Sequence, residues 1–357
     1  MQARILIVRT SALGDIVHSL PVLSALRRNL PKAWIGWVVE QAMAPLLEDH
    51  PDLDELLIVQ LRAWRQRALS PATWRAVGRF VAALDRAAPE VVLDLMGNHK
   101  AGILAALTLA DRRIGLDRAS RREPSSVIWI NEGVRPRGRH VVDQTLSLLE
   151  ALGHGTAPVD FGGERLLARP PEEARRLLAD EPAPHLLIHP GAGWPNKCYP
   201  PAAWGEVARQ LGRNPGIDSW VAAGPDDREL AEQVAAASGG HARAVAAPEL
   251  AFLAALQRRA RLVLGGDTGP VHLAHALGTP VLCVMGPTAP ERNGPYGEPH
   301  KSLFWELPCS FCYKRFDETK ACLAQLPPAM VVERARALLD GSGTCRGAGS
   351  LEALRGV

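Results

Sequence analysis

Seven short apolar runs, many of them β-branched, alternate with longer helical patterns along this chain of 357 residues. In the first half they occupy residues 4–9, 34–40 and 91–95, with a helical pattern over 21–29; in the second they occupy 185–189, 220–223, 261–264 and 280–285. Strands that read as continuous apolar runs, without alternation, belong to parallel sheets covered by helices on both faces. The pattern occurs twice, and a chain of this length builds two cores of about 150–180 residues. The expected fold class is therefore α/β, with two Rossmann-like doubly wound domains facing each other across a cleft. The first domain spans 1–168 and the second 185–326. A charged helix over 172–180, bracketed by Pro170-Pro171 and by Pro182 and Pro184, connects them. Residues 327–340 read as a closing helix, and 341–357 as a flexible Gly/Ser-rich tail.

Composition excludes several classes. The formal net charge is +3, too balanced for a nucleic-acid binder, and the aromatic content of 5% is sparse for one. The first apolar run is too short for a secretory signal, and the longest, over 101–110, reaches half the length of a membrane span. A cytoplasmic protein with reduced cysteines is expected. Charge is unevenly placed, however: residues 62–139 carry fifteen basic and seven acidic side chains, a net +8. That region is built to meet something anionic, or carries a solvated basic face.

In doubly wound sheets ligands bind in the turns at the carboxyl ends of strands. The first such turn, Thr10-Ser-Ala-Leu-Gly-Asp15, lacks the spaced glycines of a dinucleotide fingerprint, so no nicotinamide cofactor is expected. Gly14 permits a tight turn and sets Asp15 at a helix start. Asp15 can cap that helix, or it can take a proton from an incoming hydroxyl. His18, one turn on, either lines the same opening or packs beneath it.

The second half holds two anion-suited turns. In residues 261–278 a strand runs into Gly265-Gly-Asp-Thr-Gly269, and a helix opens with Pro270 and stops at Gly278. Its free N–H groups and dipole favour an anion, glycines 265, 266 and 269 are expected to admit a diphosphate, and Thr268 can donate a hydroxyl or cap the helix. Asp267 would repel a phosphate unless turned away. The second turn, His189-Pro-Gly191-Ala192-Gly193-Trp-Pro-Asn-Lys197, offers a lysine in a chain with only six of them, a point charge able to neutralise a leaving phosphate. Beyond the strand at 220, Asp226, Asp227 and Glu229 can hold ribose hydroxyls or cap a helix; Glu229 is taken as the ribose ligand.

Together these residues resemble family 9 glycosyltransferases, the ADP-heptose:lipopolysaccharide heptosyltransferases. The resemblance covers nearly all of the chain to about residue 340, on segments 6–21, 94–100, 189–192 with Lys197, and 266–272. It implies the GT-B architecture, with the 327–340 helix crossing back to the first domain. It also implies that Asp15 matches the catalytic base and Lys197 the lysine on the donor phosphates. Thr268, Gly269 and His272 match the pyrophosphate turn, and Asp267 an acid near the heptose. Gly191, Ala192 and Gly193 fall on the donor side; Ser11, Gly14, His18, Lys100 and Arg122 on the acceptor side. The segment Leu61-Arg62-Ala-Trp64-Arg65-Gln-Arg67 resembles the basic acceptor loop of the heptosyltransferase I branch. Met96 and Asn98-His99 depart from the family's usual pattern around Gly97, and the Cys309/Cys312/Cys322 segment looks more like the heptosyltransferase II branch.

The implied reaction is inverting transfer of heptose from ADP-L-glycero-β-D-manno-heptose to the inner core, Kdo-lipid A or the first heptose. No cofactor or metal is expected, because the protein supplies positive charge to the departing ADP. Asp52-Leu-Asp54 mimics a metal-binding D-x-D but reads as a turn after Pro51, and Cys309, Cys312 and Cys322 have only partial zinc-site spacing. The expected enzyme is a monomer that meets an anionic lipid A/Kdo acceptor, touches the inner membrane peripherally on its cytoplasmic face, and binds no nucleic acid. A sugar-nucleotide epimerase and a non-catalytic nucleotide-sugar-binding protein of the same fold are the alternatives.

Overall fold

The computed structural model describes residues 3–155, 158–180, 186–213 and 217–341. Pro182, Pro184, His185 and, Gly341 apart, the tail at 341–357 lie outside the described residues. The chain divides into two compact units, Met1–Leu166 and Leu167–Val357.

The first unit is built on six parallel strands, β1 (Arg4–Val8), β2 (Trp34–Glu40), β3 (Glu55–Val59), β4 (Val91–Asp94), β5 (Arg112–Leu116) and β6 (Glu132–Val134), in the order β3-β2-β1-β4-β5-β6. Its helices include α1 (Leu13–Val17), α2 (Leu20–Asn29), α3 (Leu61–Gln66), α4 (Pro71–Ala87), α5 (His99–Leu107) and α6 (Val141–Leu146). β1 is sandwiched between β2 and β4, with Ile7 opposite Trp37 on one side and Leu93 on the other. Leu6, Val8, Val38 and Val92 of the sheet pack against Phe80 and Leu84 of α4 and Leu104 of α5. The strand order reverses between β1 and β4. The turns leaving those two strands therefore diverge to opposite faces and leave a crevice, the usual ligand position in such sheets.

The second unit repeats this plan with β7 (Leu186–His189), β8 (Ser219–Ala223), β9 (Ala242–Ala246), β10 (Leu262–Gly266), β11 (Val281–Met285) and β12 (Ser302–Phe304), ordered β12-β11-β10-β7-β8-β9. Its switch point lies between β7 and β10. Helices α7 (Glu172–Asp180), α8 (Pro201–Gly212), α9 (Arg228–Ala237), α10 (Leu250–Arg259) and α11 (Gly269–Ala276) cover the sheet. Trp204 and Tyr199 are buried over Leu264 and Val284, and the Tyr199 hydroxyl donates to the Leu326 carbonyl at 2.7 Å.

The connector helix α7 packs on α10 and so belongs to the second unit. The closing helix, expected over 327–340 as one that crosses back, runs over Pro328–Leu339 and packs on α8. Its apolar face, Val331, Val332 and Ala335, is buried within the second unit's core.

Candidate active site

In the first unit, α1 follows β1 directly and places Asp15 in its first turn. The Asp15 side chain is 42% exposed, and Oδ1 is 2.8 Å from an Nη of Arg9, the residue that ends the β1 run. The other oxygen accepts the Ala12 N–H at 3.3 Å. Asp15 therefore braces the helix start while keeping an open carboxylate. Arg9, whose guanidinium also donates to the Leu95 carbonyl, is nearly buried and ties this turn to the one after β4. Ser11 is exposed at the turn, and Gly14 lies inside α1. His18 is buried with its ring edge-on to His140, 5.4 Å between centroids, so it packs beneath the turn instead of lining the opening.

The turn after β4 is rigidly built. Asp94 and Arg121 form an ion pair with both side chains essentially inaccessible, and Asp94 Oδ1 accepts the N–H groups of Met96 and Gly97 at 3.0 Å. The residues that break the family pattern have local jobs. The Met96 sulfur accepts from Thr10, Asn98 caps α5 by accepting the Ala101 N–H, and His99 bridges Ser125 and the Trp129 indole. Lys100 and Arg122 are exposed beside this frame. On α3, Leu61 and Trp64 turn inward, Trp64 meeting Phe80 edge-on, while Arg62 and Arg65, with Arg67 just after the helix, face solvent. Glu40, Gln41, Gln60, Arg62 and Gln66 line an open pocket beside them. The Asp52/Asp54 pair is structural: Asp54 accepts the Ile35 N–H at 2.7 Å and pairs with Arg27.

In the second unit, the turns after β7, β10 and β11 converge on Asp267. Its Oδ2 receives Lys197 Nζ and the Thr288 hydroxyl, both at 2.6 Å, and its Oδ1 lies 2.9 Å from His272 Nε2. Burial pushes this carboxyl up, but the His272 hydrogen bond and the Lys197 charge outweigh that and hold it well below the ordinary carboxylate range. Both oxygens thus face donors, and the Lys197 charge offsets that of the carboxylate, which weakens the repulsion a phosphate would otherwise meet. Lys197 lies over the Trp194 ring at 4.9 Å, and Asn196 beside it is buried, its amide donating to the Lys314 carbonyl at 2.9 Å.

Thr268 is the N-cap residue of α11, yet its hydroxyl makes no capping bond; it is buried and, among the described residues, has no hydrogen-bond partner. A buried hydroxyl at a helix N-terminus without a protein partner is suited to a ligand oxygen. Gly269 opens α11, and Pro270 gives up one N–H where none is needed within the helix. The other glycines serve a different purpose from the one expected. A Cβ on Gly266 would sit 2.7 Å from the Lys197 carbonyl, and one on Gly265 2.7 Å from Val271, so these two let protein elements meet closely. Gly191 is crowded by the Asp227 carboxylate, whereas Gly193 faces open space, and Ala192 lies between them, half-buried. Glu229 is exposed on α9, 3.3 Å from Gln233. Asp227 is half-buried, and burial together with Asp226 raises its carboxyl above the ordinary value.

Three contributors escaped the sequence. Arg9 carries a visible signal, a charge ending an apolar strand, whereas Thr288 and Gln257 carry none. The Gln257 amide donates to the Pro270 carbonyl at 2.8 Å and lies 3.1 Å from His189 Nε2, propping the start of α11 from behind. Cys309 and Cys312 are exposed and Cys322 half-buried; among the described residues no three metal-binding side chains are grouped to hold an ion.

Two Rossmann-like units, each presenting polar side chains at its own switch point, with an anion cradle in the second, have the make-up of the GT-B fold. Residues 77–322 match the model of glycosyltransferase family 9 (heptosyltransferase). The lipopolysaccharide heptosyltransferase 1 of Pseudomonas aeruginosa is 30% identical over 96% of this chain and all of its own length. The Escherichia coli heptosyltransferase WaaC solved with ADP superposes with a TM-score of 0.76 at 26% identity, over 94% of this chain and 99% of that one. The same enzyme with ADP-2-deoxy-2-fluoro heptose gives 0.71 at 26% identity, over 92% and 98%. The chain belongs to glycosyltransferase family 9, the heptosyltransferases.

Proposed function

We propose that this enzyme transfers heptose from ADP-L-glycero-β-D-manno-heptose, with inversion, to a hydroxyl of the lipopolysaccharide inner core, Kdo-lipid A or the first heptose. The observation that carries the reading is the buried Thr268 hydroxyl at the start of α11, without a hydrogen-bond partner among the described residues, beside Lys197 held on buried Asp267. Those groups suit a diphosphate, and one relative of the same family was solved both with ADP and with ADP-2-deoxy-2-fluoro heptose.

Asp15 removes the acceptor hydroxyl proton as that oxygen attacks the anomeric carbon. The bond from that carbon to the β-phosphate oxygen breaks, and its electron pair leaves with ADP. Negative charge grows on the departing diphosphate, where Lys197, Thr268, the Gly269 N–H and the dipole of α11 stabilise it. His272 and Thr288 act through Asp267. Gly191, Ala192 and Gly193 line the donor side, and Glu229, with Asp227 now beside it, is assigned to the ribose. Arg62, Arg65, Arg67, Lys100 and Arg122, with Ser11, Gly14 and the buried His18 shaping the turn, are assigned to the anionic acceptor.

No helix among the described residues is long and apolar enough to cross a membrane. The enzyme is proposed to act as a monomer on the cytoplasmic face of the inner membrane, where a lipid-anchored acceptor would present its Kdo carboxylates and phosphates. Incubation with ADP-heptose and a Kdo-lipid A acceptor, followed by mass spectrometry, should show one added heptose. Release of free or epimerised sugar with no acceptor product would reject transfer in favour of the epimerase alternative.

A further inference from the structure

The turn joining α3 to α4 leaves two large apolar side chains uncovered. Leu69 is 98% exposed and Trp74 is 64% exposed. Ser70 is the N-cap of α4, so Leu69 and Trp74 occupy the positions flanking a helix start that ordinarily close on each other as an apolar staple. Here both stay open to solvent, although the hydrophobic effect disfavours that arrangement. The chain around them is basic. From residue 61 to 84 the sequence has five arginines and no carboxylate, and Arg75 and Arg79 are exposed on α4, the helix that carries Trp74.

We propose that Leu69, Trp74, Arg75 and Arg79 form a docking surface for an anionic phospholipid bilayer. An indole is at home at headgroup level, and a leucine at the tip of a turn can enter the acyl boundary beside it. The arginines would meet lipid phosphates, each adding about fivefold to partitioning at low salt. Charge complementarity favours this occupant: a nucleic acid would satisfy the arginines but not a fully exposed leucine. Trp64 holds α3 to α4 from below through Phe80, so the surface sits on a braced base. The inference rests on the reading that the acceptor is anchored in a membrane and adds that the enzyme finds that membrane before it finds the acceptor.

The test is flotation of the full chain with phosphatidylethanolamine vesicles, with and without phosphatidylglycerol, in the absence of acceptor. Binding should require phosphatidylglycerol and weaken with salt. The L69E/W74E double variant should bind at least about tenfold more weakly, and R75E/R79E separately at least about 25-fold more weakly, each with unchanged circular dichroism. Both should transfer heptose at the wild-type rate to an acceptor stripped of its acyl chains. Wild-type protein that ignores anionic vesicles, or variants that bind as well as wild type, would overturn the proposal. So would loss of transfer to the stripped acceptor, which would assign the patch to the acceptor site, or a wild-type dimer abolished by L69E/W74E, which would assign it to a second copy. Vesicle binding with no heptose transfer by wild type would leave the surface standing and remove the proposed function.

Discussion

Lys197 and Asp267 are joined by a 2.6 Å ion pair, with side-chain exposures of 16% and 5%, so the lysine assigned to the donor phosphates is held in place by a buried carboxylate. Lys197→Ala would leave Asp267 charged, buried and dependent on His272 and Thr288 alone. Loss of one partner from a buried pair costs about 3–5 kcal/mol, and the lower end applies because two donors remain. Urea unfolding should show that loss, and ADP affinity should fall with it. The double variant K197A/D267A should recover most of the stability and none of the ADP binding.

Thr288 donates the third hydrogen bond to Asp267, from the turn after β11. Thr288→Val removes a hydroxyl and keeps the shape. It should cost about 1 kcal/mol and raise KM for the donor more than it lowers kcat, since Lys197 loses a fixed anchor. Thr288→Ser should restore both. A variant with wild-type KM would show that the hydroxyl does not position Lys197.

Arg9 orients Asp15 through its 2.8 Å ion pair. Arg9→Met should lower kcat roughly 10- to 100-fold by loosening the carboxylate, with ADP affinity unchanged, because misplacement of a reacting group by about 1 Å carries such a penalty. Arg9→Lys should recover part of the rate. Calorimetric ADP titration beside steady-state kinetics separates the two effects.

His189 ends β7 and is buried, and burial lowers its pKa to about 4. It is neutral in the folded protein where the unfolded chain, near 6.5, takes a proton. Unfolding therefore binds a proton between pH 6.5 and 4: the contribution is fully present above that window and is lost as pH falls through it. His275, also lowered to about 4 by burial, adds in the same direction. In His189→Gln the fall of stability with acid, measured by chemical unfolding at stepped pH, should be shallower by about one proton.

The interior strands were legible because a strand buried on both faces has to be apolar throughout, as in β1, β7 and β11. β3, β5, β6, β9 and β12 were not named from the sequence. Four of these lie at sheet edges, where one side meets solvent and charges such as Glu55 and Arg243 interrupt the run. The residues on the turns after β1, β7 and β10 were legible because Gly-rich turns next to apolar strands stand out. Thr288 and Gln257 were not, since a single hydroxyl or amide gains its role only when distant turns are folded together. Glycines 265 and 266 misled for a related reason: the pattern shows that a close approach is needed, but not to what.

Asp15 is proposed as the base that activates the acceptor, and heptose transfer by Asp15→Asn at saturating ADP-heptose, with ADP affinity read in parallel, tests that role most directly. Turnover should fall by about 10²–10⁴-fold while ADP binds as in the wild type. Turnover near the wild-type rate would contradict the assignment outright.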